Sequence, residues 1–230
     1  MAIAMGERKD RNGEPDEGMG SEDFGLWDFD EEFLAAMEAE EEAAVEILRG
    51  ALPELHGVEP PSAELAAAAS NIRAGLDGDE WPYGYMMGAA GWDEPPADDV
   101  ELWLGAVGGF VSIRADTGME IEEEAAIMAL ELADWLVAVI GLARAGVGAS
   151  ASPEALVSYI NACPEVEGEI DFEDAVVVET AFELALPAWE AAGALDDRRR
   201  LTALGKWGLP RALAWAWNHD FDPGRASDPD

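Results

Sequence analysis

Basic residues are scarce in this chain. Its 230 residues hold 13 Lys and Arg against 50 Asp and Glu, a formal net charge of −37. Self-repulsion on that scale keeps a protein soluble and weakens its compact state, so stability is expected to rise with added salt. It also repels nucleic acid and anionic lipid and attracts basic proteins. A general acidic bias of the source proteome accounts for the same composition. Cysteine occurs once, at Cys163. An intrachain disulfide is thereby excluded, and a reducing cytoplasmic location is expected. The first residues, "MAIAMGERKDRNGEP", lack the apolar segment of a secretory signal. The most apolar run, residues 125–143, carries Glu131 and Asp134 near its middle and has no basic flank before Arg144. A membrane span is therefore not expected, and the run reads as a central, mostly buried helix. Alternating strand patterns are nearly absent outside residues 194–203.

What remains is helical. Residues 1–20 are polar, Gly-rich and aperiodic, and are expected to be disordered. An acidic helical region with an aromatic loop is expected over 21–96. Its first helix spans about 29–52, where Ala, Glu, Leu and Met dominate and Pro53 ends the run. "PPSAEL" starts a second helix with Ser62 as the N-cap. The stretch 77–96 is punctuated by Gly and Pro and holds Trp81, Tyr83, Tyr85, Met86, Met87 and Trp92. Two readings stand. The aromatics pin a long connection to the core, or they expose an aromatic and methionine surface to a partner. From Asp98 a second region begins. Helices are expected over "DVELWLGAVGGFVSI", over 120–144, from Pro153 with Ser152 as N-cap, and over 171–186 with Pro187 kinking or ending it.

Several patterns resemble chemistry without its complete residue set. "VAVIGLARAGVGA" offers Gly141 and Gly146 at the outer places of a dinucleotide-binding turn, but Ala143 fills the middle one. No strand–helix–strand alternation follows, so a helix ending at Gly146 is expected. The acids Asp28, Asp30, Glu31 and Glu32, and the pair Asp220 and Asp222, lack the Gly and final Glu of a calcium loop. His56, His219 and Cys163 show no zinc spacing. No metal site and no cofactor is expected. Glu131 and Asp134, three apart, share one helix face. They suit acid–base work if one pKa is raised, and they suit equally a solvated stripe. No nucleophile elbow or phosphate loop accompanies them, so no catalytic residue is assigned and an enzyme ranks last.

The C-terminal part differs from the rest. Arg198, Arg199, Arg200, Lys206, Arg211 and Arg225 form a basic island on an acidic body. Between Asn12 and Asp197 the only basic residues are Arg49, Arg73, Arg114 and Arg144. The island begins with a small residue and a leucine, Ala194-Leu195, then "DDRR", then Leu201-Thr202-x-x-Gly205 and a helix. With three helices before it, this stretch resembles the wing and following helix of winged-helix regulators. It is also similar to the ends of uncharacterised proteins of high-GC bacteria. The resemblance covers about half the chain, residues 97–222 before a tail at 223–230. It implies a small β-hairpin in which Ala194-Leu195 pairs with Arg200–Thr202. It also implies that the third helix enters the major groove of DNA, where readers carry Arg, Lys, Asn or Gln. Here that helix offers Asp171, Glu173, Asp174, Glu179 and Glu183 and no basic residue.

The expected fold is therefore mainly α, with a winged-helix-like C-terminal domain and one small β-hairpin. The expected function is a non-enzymatic interaction module whose acidic surfaces meet a basic protein, with carboxylates in place of phosphates. The alternative is a transcription regulator that touches DNA backbone through Arg198–Arg200. Candidate interaction residues are Trp81, Tyr83, Tyr85, Trp92, Arg198, Arg199, Arg200, Lys206 and Trp217. The last lies in a final helix with Trp207 and Trp215.

Overall fold

A computed structural model describes residues 44–51, 54, 58–78, 82–83, 86, 92, 94–112, 126–127, 130–163 and 172–217, less the side chains of 77–78, 112, 172–174 and 217. The described residues are mainly helical and contain no strand. Residues 44–51 are helical and belong to the expected first helix. Six further helices follow: α1 (Ser62–Gly78), α2 (Asp99–Ser112), α3 (Leu132–Ala145), α4 (Pro153–Asn161), α5 (Phe172–Ala191) and α6 (Ala203–Trp217).

Helix α1 buries Leu65, Ala68, Ala69 and Ile72, the i, i+3, i+4, i+7 stripe of an amphipathic helix. Ser62 is its first helical residue rather than a cap. Its hydroxyl donates to Pro60 O, and the opening turn closes through Leu65 N to Pro61 O at 2.9 Å. Helix α2 is buried nearly all round. Asp98 caps it, accepting from Glu101 N at 2.9 Å. Arg73 of α1 reaches Asp99 at 2.7 Å and Ala97 O at 3.0 Å, tying the two helix ends together.

Among helix pairs, α2 and α6 pack most extensively. Glycine permits it. A Cβ built on Gly108 lies 2.0 Å from the Ala212 carbonyl oxygen, so only a residue without one lets the two backbones meet. Trp103 fills the neighbouring space. Its indole donates to Ala192 O at 2.8 Å, and its ring packs 6.0 Å from that of Trp207. On the far side, Trp135 of α3 meets Phe182 and Trp189 of α5 edge-on, with centroids 5.0 and 6.2 Å away. One continuous hydrophobic core runs from Ala44 to Ala214. The acidic N-terminal part and the C-terminal part therefore share it.

The long helix expected over 120–144 is interrupted. Residues 126–127 are helical, Leu130 is a bend, and Glu131 is extended at φ −73, ψ 161. Helix α3 starts after it. The physical reason is local. Asp134 Oδ2 accepts from Glu131 N at 3.3 Å, and Glu131 completes a reciprocal capping box with the Asp134 backbone. At its other end α3 stops at Gly146, φ 94, whose N–H donates to Leu142 O. That is a helix C-terminus and not a nucleotide turn. Ser152 caps α4 by accepting from Ala155 N, with Pro153 in the first turn. Helix α5 passes through Pro187 without ending.

Candidate interaction surface

The motif Leu201-Thr202-x-x-Gly205 has a structural role. The Thr202 hydroxyl accepts from Gly205 N at 2.9 Å and donates to Gly193 O at 2.7 Å. Thr202 thus caps α6 and ties it to the end of α5. A Cβ on Gly205 would lie 2.0 Å from Ala194 O, so this position needs glycine for the same reason as Gly108.

Before Thr202 the chain turns tightly. Asp196 Oδ1 accepts from the N–H groups of Arg198 and Arg200, both at 2.9 Å. Those two bonds, with smaller help from the charges of Arg200 and Arg198, hold its carboxyl below the usual carboxylate range. In place of the expected two-stranded hairpin the residues form single antiparallel bridges, Leu195 with Leu201 and Ser150 with Arg200. Asp196 N donates to Arg200 O at 2.9 Å and Thr202 N to Ala194 O at 3.0 Å, the two bonds of the Leu195–Leu201 bridge, and Arg199 N donates to Asp196 O at 2.9 Å to close the turn between them. Residues 148–151 flank it: Ala151 N donates to Arg199 O, and Leu201 N donates to Ala149 O.

The three arginines part company here. Arg199 occupies the left-handed region at φ 54, unusual for a residue with a Cβ. Its guanidinium folds onto α5. There Nη1 donates to both Glu183 oxygens at 2.7 and 2.8 Å, and Nε donates to Glu190 Oε1 at 3.0 Å. Glu183 chiefly, then Glu190, raises the Arg199 pKa against the opposing effect of burial. Arg198 and Arg200 are exposed, and Arg200 reaches Gly148 O at 3.4 Å. Lys206 is exposed on the first turn of α6, beside a cleft of about 400 Å³ that Val58, Glu59, Trp207 and Arg211 also line. Arg211 lies 5.0 Å above the Trp207 ring and donates to Trp207 O. Burial pulls its pKa down.

The stretch 77–96, expected as a loop, is helical in part: α1 runs on to Gly78, and Tyr83 and Met86 are helical, with Met86 N donating to Pro82 O at 3.1 Å. Tyr83 is half-buried and donates to Ala191 O at 3.4 Å; Met86 is fully buried. Trp92 is half-buried and meets Trp215 edge-on at 6.1 Å. These three pin the connection to the core. Trp81, Tyr85 and the Trp217 side chain lie outside the described residues, as do the acids 28–32 and 220–222 and both histidines. Among the described residues no group of three or more His, Cys, Asp or Glu is placed to hold a metal ion, and no helix is long and apolar enough to cross a membrane. Glu131 and Asp134 are brought together, but as a helix cap.

Sequence reasoning named the acids of α5, Glu179 and Glu183 among them, but not its exposed valines or Glu190. Val176 and Val177 are 58% and 42% exposed, Thr180 and Glu183 are exposed, and Glu179 and Glu190 are half-buried. The signal was available in "DAVVVETAFELAL". With Val178, Ala181, Phe182 and Ala185 on the core side, helical spacing turns Val176, Thr180 and Glu183 outward. The fold and this surface define a mainly helical chain with one continuous core and an outer helix both apolar and acidic. Comparison with protein-family models, curated proteins and solved structures finds no match for it.

Proposed function

We propose that this chain is an acidic, non-enzymatic interaction module that binds a basic protein, its carboxylates standing where nucleic acid presents phosphates. The observation that carries the reading is the outer face of α5. Its exposed valines are the kind of apolar surface that marks a protein contact, and the helix holds no Lys or Arg anywhere in Phe172–Ala191. The overall charge of −37 steers cationic partners toward it. The single Cys163 fits a cytoplasmic setting.

A second reading has its own support. Helices α3, α4 and α5 precede a turn closed by bridges, the order of a winged helix, and Arg198 and Arg200 stand exposed on that turn. In this reading the turn is the wing of a regulator and contacts DNA backbone. The acidic α5 opposes it, because carboxylates near phosphates remove the main source of affinity.

A pull-down of the tagged protein from its host lysate, at low and high salt and with and without nuclease, separates the two. A basic protein that survives nuclease, and is lost in high salt and with Glu179→Gln plus Glu183→Gln, supports the interaction module. Recovery of DNA that is lost with Arg198→Glu plus Arg200→Glu rejects it in favour of the regulator.

A further inference from the structure

We infer that Glu183 and Glu190 form an arginine receptor on the outer face of α5, and that Arg199 occupies it as a tethered competitor of the partner's arginine. The inference rests on the interaction-module reading and names the chemistry of its partner. Three observations converge on it.

The first is spacing. Val176, Thr180, Glu183 and Glu190 repeat at 4, 3 and 7 residues along α5, so they lie on one stripe of the helix. Val176 and Glu183 are two turns apart, about 10 Å at 1.5 Å per residue. The stripe presents an apolar contact at one end and two carboxylates at the other. A segment that matches it carries an apolar side chain and a cation about 10 Å apart.

The second is the geometry around the cation. Arg199 engages Glu183 through one terminal nitrogen and Glu190 through Nε. Two separate nitrogens of one rigid plane each serve a different carboxylate, a spread that a guanidinium offers and the single nitrogen of an ammonium does not. The receptor therefore prefers arginine to lysine.

The third is release. All three side chains remain partly open to solvent. Such ion pairs are individually weak, about 0–1 kcal/mol. The turn itself is held by Asp196 through the N–H groups of Arg198 and Arg200, not by the Arg199 side chain. The Arg199 side chain can thus leave α5 while the turn keeps its shape. A protein that must first release an internal ligand binds its partner more weakly, in proportion to the fraction of receptors open.

Calorimetric titration of the full chain at low salt tests this, with a short peptide of alternating arginine and valine and its lysine–valine counterpart. Arg199→Gly suits the φ of 54 and empties the receptor. It is expected to bind the arginine peptide about threefold to tenfold more tightly than the unaltered protein. Arg199→Lys keeps the charge, loses the fork, and is expected to move affinity the same way by less. Glu183→Gln with Glu190→Gln is expected to abolish the preference for arginine over lysine. If both peptides bind the unaltered protein equally and lose affinity alike with salt, the receptor is overturned and the acidic module stands. If Arg199→Gly folds and gains nothing, the competitor role is overturned. If neither peptide binds at low salt, both readings fall together.

Discussion

The α2–α6 crossing and the outer face of α5 handle close approach in opposite ways. At the crossing, backbone meets backbone across Gly108 and Ala212, with the fully buried Trp103 beside them. On α5, long charged side chains bridge helix to turn while remaining partly wet. The first contact is steric, and a single added carbon disrupts it. The second is electrostatic and solvent-screened, so it contributes little to stability. A chain with −37 net charge needs both: a dry interior that outweighs self-repulsion, and a surface whose few cations are placed rather than scattered.

Five measurements sharpen this contrast. The largest effect is expected at the crossing. Gly108→Val forces α2 from α6 and should cost about 2–4 kcal/mol in urea unfolding. A loss under about 0.5 kcal/mol would show that the helices separate freely and end the steric argument. Next comes Thr202→Val, which keeps the shape of the residue and removes the hydroxyl that caps α6. It should cost about 1–2 kcal/mol, read as a lowered Tm. Two of the buried tryptophans then give a finer comparison. Trp103 donates to Ala192 O, whereas the Trp189 indole N–H is buried without an acceptor. Trp103→Phe should therefore be worse than Trp189→Phe by about 1 kcal/mol, and equal losses would remove the hydrogen bond from the account.

The α5 face should respond weakly to the same assay. Glu183→Gln with Glu190→Gln should change stability by less than about 1 kcal/mol, since the pairs are solvent-screened and the change also relieves net charge. A larger loss would make the face structural. The smallest effect concerns pH. The Asp196 pKa is lowered by folding, so the stability it adds is fully present above the ordinary aspartate value of about 4 and is lost as pH falls through the lowered one. Asp196→Asn should flatten that acid limb of a Tm–pH profile slightly. An unchanged profile would separate the turn from the titration.

Much of the fold was legible. Caps were readable because they depend on neighbours: Ser152 before Pro153 behaves as its dipeptide implies. The end of α3 at Gly146 follows from glycine at a position with φ 94. The break at Glu131 was less visible, because apolar periodicity runs straight across residues 125–143. Only the paired contacts of Glu131 and Asp134 show that the chain restarts there. The expected hairpin is present only as its pairing. Leu195 and Leu201 pair where the residues suggested, as a single bridge and not as two strands, and Arg200 also bridges Ser150, a residue fifty positions away.

The candidate surface was legible in part. The basic island stood out by composition, but composition treats Arg198, Arg199 and Arg200 alike. Their fates diverge through one backbone angle, the φ of 54 at Arg199, which turns its side chain toward Glu183 and Glu190. No local pattern links residue 199 to residue 183.

By itself, the sequence determined what depends on near neighbours and on totals. That is the helical character, most helix ends, the absence of a disulfide and the excess of negative charge. These follow from propensity, capping and counting, none of which needs a distant contact. Only the tertiary structure decided which glycines are irreplaceable, which arginine is already held, and which carboxylates cap a helix. Each is set by residues far apart in the chain or by a local restart hidden under continuous periodicity. Packing chooses among arrangements that local preference leaves nearly equal in free energy.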